Sequence, residues 1–84
     1  MAKILVIENE TAIRTNLARL LTLERFEVLS AADGLEGLAL VKTQRPDLVL
    51  CDLLMPGMDG DAVLAALRAE PSTHAVPLLS LIHI

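Results

Sequence analysis

Leu48-Val49-Leu50-Cys51-Asp52-Leu53-Leu54-Met55-Pro56-Gly57-Met58-Asp59-Gly60 is an aliphatic run that stops on an acid and opens into a loop bearing proline and glycine. Consecutive apolar residues suit a strand covered on both faces, as in a parallel sheet. Ile4-Leu5-Val6-Ile7 repeats the pattern and ends among polar residues, Glu8-Asn9-Glu10. Between the two runs, Ile13, Leu17, Leu20 and Leu21 share one face of a helix, with Arg14, Arg19 and Glu24 on the other side. Phe26 to Ala31 fits a weaker strand, at an edge, and Asp33-Gly34 marks the turn after it. Leu35, Leu38 and Ala39 suggest a second helix to about Gln44, which Pro46 stops. Downstream of the quoted stretch, a third helix starts near Asp61, buries Val63, Ala66 and Leu67, and ends at Pro71. Pro77-Leu78-Leu79 begins a fourth strand.

Strand and helix therefore alternate, which implies parallel strands joined by right-handed crossovers. In such sheets the working residues lie beyond the carboxyl ends of the strands, where the winding direction switches. If the first and third strands are neighbours, Glu8, Asn9 and Asp52 converge on one spot. Crowded carboxylates repel one another unless a cation sits among them, and magnesium is held by one or two carboxylates plus water and phosphate oxygens. An aspartate in that setting can serve as a nucleophile toward phosphorus. On spacing alone the alternative stays open that these acids are solvated or cap helices.

Composition narrows the classes. Eighty-four residues make one small domain, and 54% hydrophobic content with 1% aromatics calls for a core of Leu, Val, Ile and Ala. The net charge of −4 and seven scattered Lys and Arg argue against a nucleic-acid surface in this segment. No apolar stretch approaches the roughly 20 residues of a membrane span, and the opening run is too brief for a signal peptide, so a cytoplasmic location is expected. One cysteine excludes an internal disulfide and a paired-cysteine metal site. Cys51 is expected as a buried structural thiol, His74 as a surface residue, and Met55 and Met58 as loop packing.

Several stretches together resemble the response-regulator receiver domains of two-component signalling. Lys3 to Glu10 resembles that family's opening strand and acidic pair, and Ala31-Ala32-Asp33-Gly34 its second strand and turn. Pro46-Asp47 followed by Leu48 to Gly60 resembles its phospho-acceptor strand and loop, and Pro77-Leu78-Leu79 the start of its fourth strand. The resemblance implies an α/β flavodoxin-like doubly wound parallel sheet of order 2-1-3-4, incomplete, without the fifth strand and the helices around it. It also implies that Asp52 is the phospho-acceptor. Magnesium would be held by Glu8, Asn9, Asp52 and the backbone carbonyl of Leu54, while Gly57 and Gly60 permit the loop's turns.

Two departures stand out. Asn9 occupies a place where the family carries a second carboxylate, so the ion meets two carboxylates rather than three, and a weakened site is expected. Ile82 stands where the family ends its fourth strand in Ser or Thr. Leu79-Ser80-Leu81-Ile82-His83-Ile84 resembles a translated sequencing-adaptor end. Residues 1–79 are accordingly expected to be a partial receiver domain, and 80–84 a non-native tail that begins as early as 79.

The function implied is a phospho-accepting module of a phosphorelay, taking a phosphoryl group from a sensor histidine kinase or phosphotransfer protein and signalling to an output domain or downstream protein. It is not an enzyme apart from self-catalysed phosphorylation and dephosphorylation. A magnesium phosphohydrolase would carry a second aspartate two residues after the first, where Leu54 stands. A receiver-like interaction module that is never phosphorylated is the alternative kept open by Asn9.

Overall fold

The computed structural model describes residues 1–53 and 55–81. Among them the chain runs β1 (Lys3–Ile7), α1 (Thr11–Leu23), β2 (Glu27–Ala31), α2 (Gly34–Gln44), β3 (Leu48–Asp52), α3 (Gly60–Ala69) and β4 (Leu78–Leu81). The strands form one parallel sheet in the order β2-β1-β3-β4. The chain moves one way from β1 to β2 and the other way from β2 through β3 to β4, so the winding reverses between β1 and β3. Right-handed crossovers then set α1 on one face of the sheet and α2 with α3 on the other.

Alternation along the strands sorts the core. Leu5, Ile7, Ala31, Val49 and Cys51 form one buried cluster with Val41 of α2 and Val63 and Leu67 of α3. Each aliphatic side chain buried in this way contributes about 1.5–3 kcal/mol. Ile4 and Val6, on the opposite parity, are buried on the face that α1 covers. Polar contacts close the helix ends. Asp33 caps α2 by accepting from the Glu36 N–H at 2.8 Å, and the Glu36 carboxylate reaches back to the Ala32 N–H. Asp59 caps α3 through the Ala62 N–H at 3.0 Å. Glu70, preceding Pro71, is extended at φ −110 and ψ 132, which ends α3. Below it, the buried Thr73 hydroxyl donates to the Leu67 carbonyl at 2.7 Å.

Three expectations about helix faces are corrected. Apolar spacing puts Leu20 on the buried side of α1, but it is 59% exposed, and α1 has no fully buried residue. The helix packs chiefly on β1 and β2, so its sheet-facing side is the one covered. Leu35, expected inside, is 69% exposed, and Ala39 is exposed too. Helix α2 instead turns Gly34, Gly37 and Val41 inward, with Leu38 and Leu40 packed beside them. A Cβ on Gly34 would meet Met58 Cγ and Val63 Cγ2 at 2.9 Å, so the glycine face is what lets the helix lie this close. Arg14, expected on the solvated side of α1, is half-buried and folds back onto the end of β1. In α3, Val63 and Leu67 are fully buried as the spacing requires.

Candidate functional site

The winding reverses between β1 and β3, and the register decides which residues stand together at the carboxyl ends of those strands. Ile7 pairs with Cys51, so Glu8 and Asp52, each the next residue, stand level at the sheet's mouth. Both side chains are wholly buried, at 0% exposure. Burying one carboxylate costs several kcal/mol unless opposite charge or hydrogen bonds offset it, and two side by side raise the cost further.

Glu8 is held from several sides. Its N–H donates to the Ala31 carbonyl at 3.0 Å, continuing the β1–β2 ladder one residue past the strand. Its Oε1 accepts the Glu10 N–H at 3.0 Å. Its carbonyl accepts from Arg14 Nη1 at 2.7 Å, and Arg14 Nη2 reaches Thr11 Oγ1 at 3.4 Å. Asp52 closes β3 opposite Leu81 of β4. The loop after it must return to the strand end before α3 can begin. Gly57 makes the turn at φ +77, in the left-handed region that favours glycine. Gly60 then sits so close that a Cβ would lie 3.2 Å from the Asp52 carbonyl oxygen. Met55 is buried in the core, and Met58 packs against it, as expected of loop packing.

Cys51 reports the field at this mouth. Burial pushes its thiol from 9.0 up to about 11, and the charges of Asp52, Glu8 and Asp59 add to the shift. The thiol is thus buried and protonated, the structural thiol that its place in an aliphatic strand predicts. His74 is on the surface, also as read.

The donor chemistry fits a hard cation. Two buried carboxylates offer oxygen only, which suits magnesium or calcium and not a thiophilic metal. Asn9 is exposed at the rim and brings a neutral oxygen rather than a third charge. Among the described residues no group of three or more His, Cys, Asp or Glu side chains gathers at metal-holding distance. The Leu54 carbonyl and Ile82 lie outside the described residues.

Two contributors escaped the sequence reading. Asp59 serves both as the cap of α3 and as a charge felt at Cys51. Arg14 had a signal: a cation in the first turn of a helix opposes the helix dipole, so its presence there calls for another partner.

The family model for the response regulator receiver domain matches residues 4–83. A probable transcriptional regulator ycf27 of Porphyridium aerugineum is 43% identical over 79 residues, which cover 94% of this chain and 33% of that protein. Transcriptional regulatory protein AfsQ1 of Streptomyces coelicolor is 41% identical over 81 residues, covering 96% and 35%. The chain thus spans about a third of the length of these curated relatives. Among solved structures, chemotaxis protein CheY4 of Vibrio cholerae superposes with a TM-score of 0.90 at 34% identity, covering 95% of this chain and 67% of that one. No helix among the described residues is long and apolar enough to cross a membrane.

Proposed function

The chain belongs to the response regulator receiver family, and on that premise we propose that Asp52 accepts a phosphoryl group at a magnesium site shared with Glu8. The observation that carries the reading is the pair of buried carboxylates set level on neighbouring strands at the reversal of winding. An Asp52 carboxylate oxygen attacks phosphorus; the bond from phosphorus to a histidine nitrogen of a partner kinase or phosphotransfer protein breaks, and a bond to Asp52 forms. Glu8, Asp52, the Asn9 side chain and the Leu54 carbonyl would hold the ion, which when bound supplies charge neutralisation for the phosphoryl oxygens. Burial keeps bulk water from the carboxylates and fixes their aim. The proposal includes a cytoplasmic site of action, an output domain or protein downstream, and residues 80–84 as a non-native tail, which the gene read unbroken past Leu79 tests.

Incubation with acetyl phosphate tests the central claim. The chain is expected to gain one phosphate in the presence of magnesium and none when the ion is chelated, and Asp52→Asn is expected to abolish the gain. A folded wild-type chain that takes up no phosphate and binds no beryllofluoride would instead support the second reading, an interaction module without phosphorylation. Asn9 is the observation on that side, because it leaves the mouth one negative charge poorer.

A further inference from the structure

Arg14 begins from an unfavourable place. It lies at the fourth position of α1, where its positive charge opposes the dipole, and α1 has neither a side-chain cap at Glu10 nor an acid in its first turn. Its backbone is ordinary helix, with the N–H donating to the Glu10 carbonyl at 2.9 Å. Its side chain is not spread on solvent. It doubles back across the turn between β1 and α1 and delivers a charged donor to the Glu8 carbonyl at 2.7 Å. Charge-assisted bonds of this length are about twice as strong as neutral ones.

We propose that Arg14 is a positioning residue for the metal-side carboxylate: it clamps the β1–α1 turn and so fixes the aim of Glu8. The inference rests on the magnesium reading above for its functional consequence, but its structural half stands without the ion. Main-chain N–H and C=O of Glu8 are both engaged, one by Ala31 and the other by Arg14. With the peptide planes before and after the Glu8 Cα each pinned, the first by Ala31 and the second by Arg14, the Glu10 N–H stays 3.0 Å from Glu8 Oε1. One carboxylate oxygen is then oriented by the turn. Releasing the carbonyl lets the 8–9 peptide rotate, and the Glu10 contact and the carboxylate's aim loosen together. In a site with two carboxylates the effect is larger than where a third would hold the ion.

The test uses the 84-residue chain with Arg14→Met, which keeps the stem and removes the donor, and Arg14→Lys, which restores a charged donor. Two quantities are read. Amide exchange of Glu10 without any metal is expected to quicken about ten-fold in Arg14→Met. Magnesium affinity by calorimetry is expected to fall about ten-fold, the lower range for partners that orient a metal ligand. Arg14→Lys should recover most of both, with all three chains folded at the assay temperature. If the Met variant melts below the assay temperature, Arg14→Gln replaces it, and the order Arg, Lys, Gln is expected in both readouts. An unchanged Glu10 exchange rate in a folded variant overturns the clamp. Faster exchange with unchanged magnesium affinity overturns its role toward the carboxylate. A wild-type chain that binds no magnesium, while the exchange result holds, sinks the magnesium reading and the functional half with it, leaving the clamp as architecture.

Discussion

Replacing Gly37 with alanine separates two effects of opposite sign. In an exposed helix the change stabilises by about 1 kcal/mol, because alanine has the better helix propensity. Gly37 is buried, however, and a Cβ there would lie 2.8 Å from Ile7 Cγ1 and closer still to Ile7 Cδ1. Ile7 is fully buried at the end of β1, one residue before Glu8, and a β-branched side chain has few rotamers into which to retreat. Overpacking of this kind costs about 1–3 kcal/mol. The net expectation is destabilisation by about 1 kcal/mol, a fall in melting temperature of roughly 4–8 °C for a domain of this size. Urea denaturation followed by circular dichroism measures it. Ile7→Val removes the nearer clashing carbon and by itself costs about 0.5–1.5 kcal/mol. The double variant should therefore be more stable than the two single costs predict, by about 0.5 kcal/mol or more. A Gly37→Ala chain more stable than wild type, or strict additivity with Ile7→Val, would refute the close-approach argument.

Three other outcomes are expected. Asp33→Ala removes the α2 cap and should cost about 1 kcal/mol by urea denaturation, with Asp33→Asn recovering most of it. Cys51 gives a dependence on alkaline pH: the unfolded thiol ionises near 9.0 while the folded one holds its proton to about 11. Its contribution to stability is complete below pH 9.0 and is lost as pH rises through about 11, a decline of up to about 3 kcal/mol that Cys51→Ala should flatten in denaturation curves across that range. Finally, Leu23 on α1 is 72% exposed and Leu79 on the edge strand β4 is 57% exposed. Exposed apolar residues beside an open edge favour association, so sedimentation should show concentration-dependent self-association that Leu23→Lys with Leu79→Lys reduces.

Much of this molecule was written in local pattern. Two aliphatic runs ending in acids, prolines after helices and the loop from Leu53 to Gly60 identify strands, breaks and the family, because each depends on residues adjacent in the chain. The strand order and the meeting of Glu8 with Asp52 followed once the family was recognised; spacing by itself left them conditional. Helix faces were read less well. Apolar periodicity scored Leu20 and Leu35 as inward, yet which side of a helix is covered depends on what packs there and how near the backbones come. For α2 that nearness turns Gly34 and Gly37 inward, residues that a hydrophobicity pattern counts as silent. Arg14 was missed for the same reason: a side chain that folds back over a turn to a main-chain carbonyl leaves no periodic trace, and only the folded β1–α1 connection brings donor and acceptor together.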